Sequence, residues 1–257
     1  MTASLTTRTA AVDAISSRPR PIPFIRLVRV EWTKATDTRA ARWLLTLVAL
    51  STTAMLLVPL AAPDFEHTYG SYLVGAALGL SVLLPVVATL LFTSEWSQGT
   101  TITTFTQEPR RIRVLNAKLA VSVLLTCGGT IFGAAVATAG IGIATASGNV
   151  VDANLSIGVI AGYLLFVLLN VLAGVALGAL LQNSAAAITA QFVLPATFAT
   201  LGTTSHFVSN WIDISTWSWI LENDWAGHVP QIAFSIILWI ALPLSSGYAR
   251  TVRRDIA

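Results

Sequence analysis

The residues of this 257-residue chain that could do covalent or metal chemistry are three histidines, one cysteine and a dozen carboxylates. His206 and His228 share the segment 202–231 with Asp213, Glu222 and Asp224, a composition that could hold zinc. No HxxxH or HExxH spacing joins them, and His67 lies far away in sequence, so chance scatter of polar loop residues is the expectation and no metal is assigned. Cys127 stands alone in an apolar run. It can form no internal disulfide, and one thiol is not a metal site, so it reads as a small core residue. The serines in the apolar runs have no His or Asp there to activate them, and GxSxG is absent. A phosphate loop of the form GxxxxGK[ST] needs Gly before Lys. Lys34 follows Thr33 and Lys118 follows Ala117, so neither qualifies. No catalytic residue is expected.

The chemistry that remains is charge. EWSQGTTITTFTQEPRRIRVLNAK, Glu95 to Lys118, sets two acids and four cations between two apolar runs. A connector there could be five residues long. Two dozen, with helix-forming pieces between breaks at Gly99 and Pro109, suggest a docking element able to pass a push from a soluble partner into the membrane.

The elements holding this stretch are apolar. The chain is 54% apolar and 11% charged, against about 25% charged for a soluble domain. Six segments meet the roughly 20 residues a helix needs to cross a bilayer, at about 43–62, 72–93, 115–146, 157–181, 185–202 and 232–249. From Leu119 onward the third is uncharged, as are the other apolar runs. Helices are expected because hydrocarbon offers the backbone no other partner. All 15 Lys and Arg fall in three places: before the first run (among them Arg26, Arg29, Lys34, Arg39 and Arg42), between the second and third (Arg110, Arg111, Arg113, Lys118), and after the sixth (Arg250, Arg253, Arg254). The other loops carry Asp64, Glu66, Asp152, Asp213, Glu222 and Asp224. Cations stay on the cytoplasmic side, which predicts an all-α protein with six transmembrane helices and both termini cytoplasmic. The basic residues flank spans and form no separate domain, so nucleic acid is not an expected partner.

Residues 1–23 lack the apolar core of a signal peptide and read as a flexible cytoplasmic N-terminus; 250–257 reads as a cytoplasmic tail. Residues 24–40 form a basic amphipathic helix expected in the cytoplasmic interface. Phe24, Ile25, Leu27, Val28, Trp32 and Ala35 lie on one side, Arg26, Arg29, Thr33 and Asp37 on the other, and Val30 and Glu31 fit neither well. Arg29, Glu31, Trp32 and Lys34 are its candidate site residues. The last outer loop holds Trp211, Trp217, Trp219 and Trp225, read as short helices that dip into the outer leaflet or cap the outer mouth. Glycines four apart (75/79, 129/133, 158/162, 174/178) permit close helix approach, and Pro59, Pro85, Pro195 and Pro243 should kink or loosen their helices. Asn170 and Gln191, the largest polar groups inside the runs, mark either a translocation path or bonds to neighbouring helices.

The Glu95–Lys118 stretch resembles the cytoplasmic segment of permease subunits of type-2 ABC exporters at Glu95, Gly99, Thr100, Pro109, Arg111, Arg113 and Lys118. Val30 to Trp43 resembles that family's amphipathic connecting helix. The resemblance implies a transport subunit, not an enzyme, that binds no cofactor itself. ATP and Mg would sit on a separate ATPase subunit, present in two copies, because larger members fuse that motor and 257 residues leave no room for it. A second permease copy or paralogue would complete an exporter in a bacterial cytoplasmic membrane. Glu95, Gln98, Gly99, Thr100, Pro109, Arg111 and Arg113, with Gln182 and Asn183 of the turn between runs four and five, would touch the ATPase. Glu95 would anchor the docking element by bonding to arginines of its own loop. The uncharged spans fit a hydrophobic or amphipathic cargo such as a drug, lipid or peptide. A membrane-embedded enzyme using the Trp-rich loop, and a membrane immunity or sensor protein, are the alternatives.

Overall fold

The computed structural model describes residues 22–62, 65–108 and 110–253. Pro109 and most of the N-terminal segment lie outside them. The chain forms α1 (Phe24–Asp37), α2 (Arg39–Ala61), α3 (Tyr69–Ser97), α4 (Thr101–Gln107), α5 (Arg111–Ala146), α6 (Ile157–Leu181), α7 (Ser184–Gly202), a short α8 (Ser218–Leu221) and α9 (Val229–Arg253). Six of these, α2, α3, α5, α6, α7 and α9, are long and apolar enough to cross a membrane, as a multi-pass membrane protein requires. They outrun the apolar runs at their polar ends: α2 starts at Arg39, not 43, and α9 carries its helix through Arg250 to Arg253. Backbone hydrogen bonding continues past the point where hydropathy falls, so polar residues can complete a helix that composition ends early.

α3 and α6 form the centre, with 61% of each apolar window buried, whereas α7 buries 6% of its own and leaves its apolar face outward. The paired glycines explain the centre. A Cβ on Gly79 would come within 2.6 Å of the Thr52 Cα on α2, and one on Gly174 within 2.8 Å of the Pro85 carbonyl oxygen on α3. Helices approach this closely only where a side chain is missing. Gly158 and Gly162 serve another purpose. They face the loop between α7 and α9, and a Cβ on Gly162 would lie 2.2 Å from the Ile220 carbonyl oxygen.

That loop folds back into the bundle. Asp213 caps the turn Ile214–Trp217 by accepting from the Ser215 N–H at 3.0 Å. Trp217, Ile220 and Leu221 are buried. Trp239 donates to the Ile212 carbonyl at 2.7 Å, Trp219 stacks on His228 with centroids 3.8 Å apart, and Trp225 stays exposed. Of the loop's own four tryptophans, Trp217 is buried, Trp211 and Trp219 are half-buried and Trp225 is exposed, so they divide between core and surface instead of forming one belt. At the same end, the two-residue strands β1 (His67–Thr68) and β2 (Val151–Asp152) pair in parallel and tie the α2–α3 and α5–α6 loops together.

The prolines act unevenly. Pro85 and Pro195 sit inside continuous helices. α2 breaks into a turn at Met55 and Leu56, ahead of Pro59, and α9 widens to a π-type turn over Ile237–Ala241, ahead of Pro243. A proline removes the N–H that would have held the preceding turn, so the irregularity falls before it.

Candidate functional site

The described start of α1, the starts of α2, α5 and α7 and the ends of α3, α6 and α9 gather at one end of the bundle. α1 ends at Asp37, and the extended Thr38 turns the chain and caps α2, accepting from the Ala41 N–H at 3.1 Å. This turn lays α1 against α3 and α5. Its inward face is only half the one hydrophobicity picks. Glu31 and Ala35 are buried, Leu27, Val28 and Lys34 are half-buried, and Phe24, Ile25 and Trp32 are exposed. Glu31, which fits neither face of the sequence pattern, is the most deeply buried residue of α1 at 3% exposure.

Glu31 is inside because it meets a buried lysine. Lys118 lies two turns into α5 with 2% of its surface exposed. Its ammonium donates to Glu31 Oε2, to a Glu95 carboxylate oxygen and to the Leu91 carbonyl, each at 2.8 Å. An ammonium has three N–H donors, and all three are used. Lys34 closes the cluster from the rim, donating to Glu31 Oε1 at 2.7 Å and to Glu95 Oε1 at 2.9 Å. Two carboxylates and two ammoniums balance to zero charge, which is what allows Glu31, Glu95 and Lys118 to stay buried with Lys34 at the rim. At Lys34, burial works against the charge, but the carboxylates of Glu95 and Glu31 outweigh it and hold the pKa above the usual lysine value.

Glu95 thus anchors three helices to one another. Its partners correct the sequence expectation: they are Lys34 and Lys118, and the loop arginines go elsewhere. Arg113 bonds to Glu108 Oε2 at 2.8 Å and to the Ile22 carbonyl, so it too holds the start of α1. Arg111 donates to the Thr251 carbonyl of α9 at 2.8 Å and lies 5.4 Å from the Phe105 ring. The loop arginines are drawn away because helix geometry points Lys118, seven residues on from Arg111, down the same face but deeper, where Glu95 is.

The rest of the polar stretch forms a short helical projection. Gly99 adopts a left-handed φ of +69°, and the Thr100 N–H reaches back to the Glu95 carbonyl at 3.0 Å, a Schellman ending for α3. The Thr101 hydroxyl bonds to the same carbonyl at 3.0 Å. Gln98, Gly99 and Thr100 are exposed in the turn ahead of α4, and α4 itself exposes the apolar Ile102. The turn between α6 and α7 sits alongside. Gln182 takes a left-handed φ of 53° and donates to the Thr251 hydroxyl at 2.8 Å. Asn183 caps α7 by accepting from the Ala186 N–H at 2.9 Å, and Ser184 bonds to Thr93 at 2.7 Å and Ser97 at 2.8 Å.

The structure therefore brings together Glu31, Lys34 and Glu95, and converges Arg111 and Gln182 on Thr251. Gln98, Gly99, Thr100 and Asn183 stay at the exposed tip, and Arg29 and Trp32 on the outer side of α1. Pro109 is outside the described residues. Asn170 and Gln191 line one recess of about 210 Å³ in the bundle with Pro85, Pro195 and Trp239. Gln191 bonds to a neighbouring helix, accepting from the Thr89 hydroxyl at 3.1 Å, whereas Asn170 donates to Phe166 of its own helix at 2.9 Å. Sequence reasoning gives no role of its own to Lys118, the centre of the cluster, nor to Thr251. For Lys118 a signal exists: a cation two turns into an apolar helix needs a buried partner. Among the described residues no three of His, Cys, Asp and Glu gather as metal ligands. No known protein-family model matches the chain, and no curated protein matches its sequence.

Proposed function

We propose that the chain is the transmembrane permease subunit of an ATP-driven exporter of the type-2 ABC kind. In this reading it lies in a bacterial cytoplasmic membrane with the charged end of the bundle and both termini inside. It pairs with a second permease and two copies of a separate ATPase subunit, and carries a hydrophobic or amphipathic cargo through a path that includes Asn170 and Gln191. The observation that supports this best is the convergence of α1, α4 and the Gln182–Ser184 turn at one end, joined to the bundle by the Glu31–Lys34–Glu95–Lys118 cluster. A motor pressing on the exposed face of α4 would act on the end of α3. Because Glu95 is held by α1 and α5, those helices would move with it as one body.

The test is affinity capture of the chain from its native membrane, followed by transport-coupled ATP hydrolysis in the purified complex. A stoichiometric ATPase subunit is expected, and Ile102→Asp, on the exposed face of α4, should lower its retention. Cargo turnover or bond cleavage by the isolated chain in vesicles, with no second protein and no nucleotide, would overturn the proposal. So would impermeant-thiol labelling of Ile102→Cys, in a Cys127→Ser background, from the outer face alone.

A further inference from the structure

An apolar groove of about 250 Å³ runs along the outside of the bundle where α2, α3 and α5 meet. Leu45 and Ala49 of α2 form one wall, Leu125 and Gly128 of α5 the other, and Leu84 of α3 the floor. Gly128 keeps it open: a Cβ there would meet nothing within 4 Å. Along α5 the groove extends from Leu124 to Phe132, about 12 Å at 1.5 Å per residue. At its polar end it is closed by Trp32 and Thr36 of α1.

Two cations fall one helical turn before residues of that groove. Arg29 is three residues before Trp32, and Arg42 three before Leu45, so each shares a helical stripe with a groove residue, one turn nearer the helix start. Both are exposed, and neither has an ion-pair partner among the described residues. An apolar slot bordered by an indole, with an unpaired arginine one turn before it on each of two helices, matches one chemistry. Arginine binds phosphate through paired N–H donors, and Trp favours the boundary of the hydrocarbon. A second copy of this chain packed symmetrically around the groove would set arginines against arginines.

We infer that this groove retains one acyl chain of an anionic phospholipid, whose phosphate headgroup rests on Arg29 and Arg42. A lipid held there would wedge α1 against α2 and steady the side of α1 opposite the buried charge cluster. The inference rests on α1 lying at the membrane surface and is independent of whether the chain serves a transporter.

Native mass spectrometry of the detergent-purified chain tests it, titrating phosphatidylglycerol and phosphatidylcholine of identical acyl chains. One tightly retained phosphatidylglycerol is expected, bound in preference to phosphatidylcholine. At about 1 kcal/mol per cation near a charged headgroup, Arg29→Gln and Arg42→Gln should each cut that preference about fivefold. Gly128→Phe should expel the lipid while keeping the thermal midpoint of the delipidated wild type; Ala49→Phe, filling the opposite wall, serves if the first variant does not fold. Equal retention of the two lipids by the wild type, or unchanged retention in the filled variants, overturns the site. A filled variant that changes oligomeric mass but not lipid count overturns it too, since the groove would then be a contact between copies. None of these failures touches capture of the ATPase, so the two readings stand or fall separately.

Discussion

Replacing Lys118 by Met is the sharpest perturbation this structure offers. Met keeps the unbranched shape and fills the same space, so packing changes little and the loss is electrostatic. The ammonium's three bonds, to Glu31, Glu95 and the Leu91 carbonyl, all at 2.8 Å, disappear. Glu31 and Glu95 remain, 3% and 6% exposed, with only Lys34 to face them, and the cluster goes from neutral to one net negative charge. Removing one partner from a buried ion network costs about 3–5 kcal/mol, because the remaining charge is left uncompensated. At about 2–4 °C per kcal/mol for a chain approaching this size, the unfolding midpoint should fall by on the order of 10 °C. Tryptophan fluorescence of the purified protein, heated in one detergent at one concentration, reads this directly. Glu95→Gln errs the other way, leaving one net positive charge, and should also destabilise. The double variant Glu95→Gln with Lys118→Met restores neutrality and keeps the Glu31–Lys34 pair at 2.7 Å. It should therefore cost less than the two single changes added together by about 1–3 kcal/mol, the coupling typical of residues sharing one network. A midpoint shift below about 2 °C for Lys118→Met, or strict additivity in the double variant, would refute the argument that a balanced, largely buried charge cluster joins α1 to the bundle.

Lys34 makes a pH prediction. Its pKa is raised in the folded state, so its contribution is fully present below the ordinary lysine value and is lost only as pH rises through the folded value. The cost of Lys34→Met should be the same at pH 6 and pH 9 and shrink only in stronger alkali, as thermal midpoints at each pH would show. That cost should be smaller than for Lys118→Met because the Lys34 side chain is 39% exposed and screened by water. Gly79→Ala should destabilise by about 1–3 kcal/mol, since its new Cβ would strike the Thr52 backbone at 2.6 Å and force α2 from α3. Gly142→Ala, whose Cβ meets nothing within 4 Å, should be neutral or mildly stabilising under the same assay.

Much of this protein is set by composition. Uncharged runs of about 20 residues can satisfy their backbone in hydrocarbon only as helices, so six long apolar helices follow from the sequence alone. The polar stretch between the second and third is equally legible, because its charges and its breaks at Gly99 and Pro109 stand out against the runs around them. The pairing of those charges was not. Glu95 has three arginines in its own loop, and distance along the chain favours them over Lys118. What decides is depth: Arg111 and Arg113 sit at the start of α5 and reach out to Thr251 and Glu108, while Lys118 lies two turns down the same helix, level with the end of α3. Nor could hydrophobicity orient α1, since a charged residue counts as surface until its partner is known, and Glu31 finds that partner 87 residues away in sequence. The glycines show the same division: their spacing announces close approach, but whether a helix or the returning loop between α7 and α9 occupies the gap, as at Gly162, depends on which backbone arrives. Local physics fixes the elements; long-range pairing of buried charge and the filling of small-residue gaps are properties of the assembled bundle.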